Sequence, residues 1–310
     1  MNTRKKTAFI GMLVVGALAI TGCSAGATTS NTGTGELAGL TGVIGSKEFT
    51  EQLILGNIAT LALNNAGADV TYQELAGSAN VRAALMSDDI LGYYEYTGTG
   101  WLVYLENDAP VTGTKAQYDA TAQADLAKNG IVWLDGAEFN NTYAFAIRSD
   151  KAKELGVSTM SEVAALPTAD QTFCIEAEFS ARPDGWPGFE STYGLKSSDI
   201  STLDAGPIYQ ITADGNTCNF GEVYTTDGRI AALDLTVMTD DKDFFPVYQG
   251  AFTLKESTLT AFPAIATVLN PLSAALTESV MQKLNAQVDI DGEDPQDVAR
   301  QFLKDNGFLS

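Results

Sequence analysis

Apolar and polar positions along this chain fall into two rhythms that take turns. Gly42-Val43-Ile44-Gly45 is a short apolar run between small residues, which predicts a buried strand. Ser46 follows as an N-cap, and Phe49, Leu53, Ile54, Ile58 and Leu61 recur at helical spacing as far as Asn64-Asn65-Ala66-Gly67. A strand from Val70 to Leu75, a helix from Asn80 to Met86 and a strand ending at Tyr96 continue the alternation. A polar helix (Lys115 to Lys128) and the run Ile131 to Leu134 lead into Asn141 to Ile147, a strand-like stretch that crosses into a second lobe.

The second lobe repeats the style. A helix lies around Ser161 to Leu166, a strand at Thr172 to Glu176, and a loop at Ser180 to Gly188 with Pro183, Gly185 and Pro187. A helix near Pro207 to Ala213 precedes a strand ending at Tyr224, and Phe244 to Tyr248 reads as the return crossing. The tail is helical, with Asp294-Pro295 as cap and first turn. Alternating strand and helix predict an α/β class with mostly parallel sheets. Two lobes joined by two crossings fit better than two domains in series, because the tail has no sheet of its own.

The N-terminus sets the expected compartment. Arg4, Lys5 and Lys6 precede an apolar stretch from Phe9 to Ile20, the layout of an export signal. Ile20-Thr21-Gly22-Cys23 looks like a bacterial lipobox, so residues 1–22 are expected to be a lipoprotein signal peptide and Cys23 the lipidated mature N-terminus. The small and polar residues up to about 40 read as a flexible tether. A lipid anchor on the extracytoplasmic face of the cell membrane follows.

Composition narrows the chemistry. The formal charge is -21; without the three basic leader residues, 18 − 3 = 15 basic residues face 39 acidic ones, or -24. That argues against nucleic acid and against adsorption to anionic lipid. The chain has no histidine, which excludes a Ser-His-Asp triad and any His-ligated metal. No cofactor, metal site or enzymatic centre is expected. Apart from Cys23, the cysteines are Cys174 and Cys218. In an exported protein a disulfide between them is expected, with two buried free thiols as the alternative.

Tyr96-Thr97-Gly98-Thr99 ends a strand on a small-residue turn, the place where open α/β sheets bind ligands. This turn belongs to a larger set in fixed order: Gly45-Ser46-Lys47-Glu48-Phe49-Thr50-Glu51-Gln52, Tyr96-Thr97-Gly98-Thr99, Asn141-Thr142-Tyr143-Ala144-Phe145, Arg182-Pro183-Asp184-Gly185, Thr225-Thr226-Asp227-Gly228-Arg229 and Phe244-Phe245-Pro246-Val247-Tyr248. From about Val43 to the C-terminus, the chain resembles the substrate-binding lipoproteins of ABC importers for glycine betaine, carnitine, choline and related osmoprotectants.

The resemblance implies a periplasmic-binding-protein-like fold with two interlobe crossovers and a ligand cleft. Lobe 1 would comprise 41–144 plus 249–310, and lobe 2 would comprise 145–248. It implies a cage of Tyr96, Tyr143, Tyr224 and Tyr248 around a quaternary ammonium, with Lys47, Thr99 and Arg182 on the ligand's carboxylate. An ABC permease and its ATPase would be the partners. The chemistry is consistent: a quaternary ammonium has no N–H to donate, whereas aromatic faces attract it through their quadrupoles. The plain alternative for any single tyrosine is packing at a core edge.

Lys47 is expected in the first turn of a helix, where the helix dipole would also favour an anion. Two cations with nothing to offset them would disfavour choline, so a zwitterionic betaine, glycine betaine first, is the expected ligand. A choline-specific protein of the same fold is the alternative. No acidic residue for an amino acid's α-amino group stands out among the motifs. Trp186 is expected as a rim contact on the Arg182 loop.

Overall fold

The computed structural model describes residues 35–196 and 199–309. The leader, Cys23 and the first part of the expected tether lie outside them. Leu37 and Leu40, at the tether's far end, are buried. The Leu37 N–H donates to the Ala66 carbonyl at the end of the first long helix.

Each lobe is built on a five-stranded sheet. The first contains β1 (Thr41–Ser46), β2 (Asp69–Glu74), β3 (Gly92–Tyr96), β4 (Ile131–Trp133) and β10 (Gly250–Lys255), in the order β2-β1-β3-β10-β4. The second contains β5 (Tyr143–Arg148), β6 (Thr172–Glu176), β7 (Asp199–Leu203), β8 (Phe220–Tyr224) and β9 (Leu235–Val237), in the order β7-β6-β8-β5-β9. The two orders are the same pattern, and the fourth place is filled by the strand that arrives directly from a crossing. β10 runs antiparallel to β3 and β4, and β5 antiparallel to β8 and β9, while β1 lies parallel to β2 and β3 and β6 parallel to β7 and β8. The mostly parallel expectation therefore holds except for one reversed strand per sheet. A crossing strand enters from the cleft side, so it can only run against its neighbours.

The two crossings lie side by side. Asn140 bridges Gln249, the Asn141 N–H donates to the Tyr248 carbonyl, and the Tyr248 N–H donates to Asn140 Oδ1. Tyr143 already belongs to the second sheet, and Gly250 to the first.

Helices cover the sheets. The Thr50–Asn65 helix buries Ile54, Leu55, Ile58 and Leu63 against the first sheet and the C-terminal helices Ala264–Ala275, Glu278–Asp289 and Pro295–Asp305. The last of these has Asp294 as its N-cap, accepting from the Gln296 N–H, and buries Val298, Phe302 and Leu303. In lobe 2, Phe145, Phe173, Phe179, Phe189 and Phe220 form an aromatic core. Trp186 belongs to it, packed on Phe145 and Phe173 and 5% exposed, so it is not a rim residue. It begins the Trp186–Tyr193 helix, in a segment expected to be loop. Cys174 on β6 and Cys218 are joined by a disulfide, with Cα atoms 5.8 Å apart.

Candidate functional site

Reversing β5 and β10 has a direct consequence for where side chains meet. The parallel strands β1, β3, β6 and β8 end at the cleft, and the reversed strands β5 and β10 begin there. Tyr96 ends β3, Tyr224 ends β8, Tyr143 starts β5, and Tyr248 stands two residues before β10. Tyr143 and Tyr224 are direct partners across β5 and β8, and Gly250 is the partner of Tyr96. The four tyrosines therefore converge on one cavity, which Lys47, Thr99 and Arg182 also line. Asn141, Phe49, Glu48, Glu176 and Glu178 complete most of its wall. About 30 Å³ of it is open to the centres of water molecules.

The rings pack as a cluster. Tyr143 lies 5.2 Å from the Tyr224 centroid and 5.2 Å, edge-on, from Tyr248. Phe49 stacks on Tyr224 at 5.2 Å and on Tyr96 at 6.2 Å, a fifth ring absent from the expected cage. Gly98 makes room for Tyr248: a Cβ there would fall 2.6 Å from its ring. The glycine of this turn thus serves a tyrosine.

Burial holds all four phenols well above their ordinary pKa of 10, so they are protonated donors. Three of them donate to a carboxylate: Tyr96 to Glu51 Oε1 at 2.7 Å, Tyr224 to Glu176 Oε2 at 2.7 Å, and Tyr248 to Asp184 Oδ2 at 2.6 Å. Each bond fixes a ring's tilt, and an anionic acceptor strengthens it.

The two cations are already engaged. Lys47 Nζ donates to Glu95 Oε1 at 2.6 Å and lies 5.1 Å from the Tyr96 centroid. Glu95 also accepts from the Tyr96 N–H and from the Tyr93 and Tyr104 hydroxyls, so this buried carboxylate has four donors. Lys47 sits in the link between β1 and the following helix, whose N-cap is Phe49. Ser46 remains in β1 and shares a hydrogen bond with Tyr72, so neither the expected cap nor the expected first-turn lysine is found. Arg182 grips Asp184 with Nε and Nη2, reaches Glu178 with Nη1, and donates to Thr99 Oγ1 from the other lobe at 3.1 Å. Its guanidinium lies 5.6 Å from the Tyr143 centroid.

The premise of uncompensated cations is thereby corrected: Glu95, Asp184 and Glu178 offset them. The cleft also has carboxylates that the motifs did not reveal. Burial pushes Glu178 up, but Lys47, Arg182 and the Ser78 N–H outweigh it and hold the carboxyl at about 2. Burial raises Glu176, and burial together with Glu176 raises its neighbour Glu222 well above 4.5. Among the described residues no group of three or more Cys, Asp and Glu side chains is arranged to hold a metal. What this arrangement can do is enclose an organic cation with aromatic faces while presenting an ammonium and a guanidinium beside them.

Residues 42–305 match the family model of the substrate-binding domain of ABC-type glycine betaine transport systems. The chain belongs to this family. It is therefore the binding component of an importer and not an enzyme. The glycine-betaine-binding protein of Pseudomonas aeruginosa is 39% identical over 276 residues, covering 86% of this chain and 88% of its own. The glycine betaine-binding protein YehZ of Escherichia coli is 33% identical over 275 residues, covering 86% and 90%. A crystal structure described as a glycine betaine/carnitine/choline ABC transporter aligns with a TM-score of 0.72 at 29% identity, over 87% of this chain and all of that one. Membership in this glycine betaine transport family implies a small-molecule ligand, a permease with its ATPase, and an extracytoplasmic place of work. No helix among the described residues is long and apolar enough to cross a membrane.

Proposed function

We propose that this protein captures a quaternary-ammonium osmoprotectant, glycine betaine first, and delivers it to an ABC permease. The observation that carries the reading is the convergence of Tyr96, Tyr143, Tyr224 and Tyr248 on one cavity with Lys47, Thr99 and Arg182. The rings attract the cation at ~0.5–2 kcal/mol each, without having to replace a hydrogen bond that the ligand never made. Lys47 and the remaining N–H of Arg182 take the carboxylate. The lobes part and close about the paired crossings. Cys23 carries a lipid anchor that keeps the protein at the outer face of the membrane. The names of the Pseudomonas and Escherichia relatives support glycine betaine as the ligand.

A choline-specific site is the second reading, and a specific observation favours it. Lys47 and Arg182 are already paired with acids, and Glu176 and Glu178 line the cavity. Titration calorimetry with glycine betaine, proline betaine, carnitine and choline separates the two. The expected result is micromolar or tighter binding of glycine betaine and weaker binding of choline. Tighter choline binding reverses the assignment, and no binding of any of the four removes both.

A further inference from the structure

Glu51 belongs to the first turn of the Thr50–Asn65 helix and is 2% exposed. It does not line the cage cavity, yet four donors surround it. Oε1 accepts from the Tyr96 hydroxyl at 2.7 Å and from Asn141 Nδ2 at 2.8 Å. Oε2 accepts from Thr226 Oγ1 at 2.6 Å and from Asn285 Nδ2 at 3.4 Å. These groups come from β3, the first crossing, the lobe 2 turn after β8, and the Glu278–Asp289 helix of lobe 1. A carboxylate this deep is tolerable only when hydrogen-bonded, and here the donors span both lobes.

The same helix holds the lobe 2 turn along one face. Gln282 Nε2 donates to the Thr225 carbonyl at 3.2 Å, and Asn285 Nδ2 to the Thr226 carbonyl at 3.0 Å. Arg229 Nη2 lies 3.4 Å from Asp289 Oδ2, and Thr50 Oγ1 donates to Asp289 Oδ1 at 2.6 Å. Positions 282, 285 and 289 share a helix face. Gly228 completes the contact: a Cβ there would lie 2.6 Å from the Ala286 Cβ and 2.9 Å from its Cα. The turn rests directly on the helix backbone, where only glycine fits.

We propose that Glu51 is a positioning residue that joins ligand recognition to lobe closure. Through Tyr96 it sets the tilt of one cage ring. Through Thr226 it clasps the lobe 2 turn against lobe 1. The part concerning recognition rests on the binding function proposed above; the clasp itself does not.

The test uses Thr226→Val, which removes the hydroxyl at nearly constant shape, and Thr226→Ser, which keeps it. Small-angle scattering gives the radius of gyration with and without glycine betaine, stopped flow gives the dissociation rate, and the melting curve verifies folding. Thr226→Val is expected to be more expanded without ligand and to release glycine betaine roughly ten-fold faster. Thr226→Ser is expected to match wild type, and Glu51→Gln to shift both readings in the direction of Thr226→Val. An unchanged ligand-free radius of gyration in a folded Thr226→Val overturns the clasp. If wild type binds no quaternary ammonium compound, the ligand reading fails, and the ligand-free radius of gyration still decides the clasp.

Discussion

Asp184 holds Arg182 at two points, accepting from Nε at 2.8 Å and from Nη2 at 2.6 Å. The same carboxylate accepts from the Tyr248 hydroxyl. One acid thus places both a guanidinium and the Tyr248 ring. An amide in its place would turn an N–H₂ toward a donor. Asp184→Asn is expected to weaken glycine betaine binding by roughly 10- to 100-fold, the range for losing a hydrogen bond to a charged group. Calorimetry measures this; unchanged affinity would show that the grip does not matter to the ligand.

The carboxylate partners make the phenols more than rings. Tyr96→Phe leaves Glu51 without one of its donors, at a cost of about 1–3 kcal/mol in stability. Chemical denaturation should show that loss. Tyr96→Ala should lose the ring as well, and with it most binding.

Glu222 is 3% exposed, and its Oε1 accepts no hydrogen bond among the described residues. Burial, then repulsion from Glu176, raises its folded pKa above the ordinary 4.5. The folded state therefore binds more protons than the unfolded chain above pH 4.5, and stability falls as pH rises through the folded value. Glu222→Gln should change the melting temperature little at pH 4 and raise it increasingly toward pH 8. A difference that is flat across this range would rule out the effect. Glu178, held at about 2, acts oppositely: its contribution is present above pH 4.5 and is lost as pH falls toward 2.

The Cys174–Cys218 disulfide closes a loop with a sequence separation of 44 residues. A loop of that length corresponds to about 3–4 kcal/mol of unfolded-state entropy. Cys174→Ala with Cys218→Ala should lower the unfolding free energy by that order, read from urea titration. The ligand affinity of the folded variant should remain close to wild type, since neither cysteine lines the cavity.

Cys23→Ala should release the protein from the membrane pellet or block its processing. Fractionation with membranes as before would refute the anchor.

The four tyrosines and Arg182 come from the resemblance carried by the sequence motifs, and the structure brings all five to one cavity. Their carboxylate partners were not legible in the sequence. Glu51, Glu176 and Asp184 lie 45, 48 and 64 residues from the phenols they receive, and only the fold brings them together. Without sight of Glu95, Asp184 and Glu178 beside them, Lys47 and Arg182 read as bare cations, which favours a zwitterion more than the structure allows. The first residues of the Trp186–Tyr193 helix, up to Gly188, read as loop in the sequence because Pro187 and Gly185 are turn residues. Proline also suits a helix's first turn, where its missing N–H costs nothing. β10 went unread because Gly250 to Lys255 follows the crossing without a turn to mark its start.

The reversed strand in each sheet also bears on the order of folding. Lobe 2 is continuous in sequence, since β5 through β9 supply its whole sheet. Lobe 1 is not: β3 and β4 are neighbours of β10 and not of each other. Until the segment beyond residue 249 arrives, the first sheet has a gap in its middle and lacks the helices that cover the Thr50–Asn65 helix. The N-terminal third of the chain therefore stays incomplete while lobe 2 can already fold, and the last segment closes the molecule.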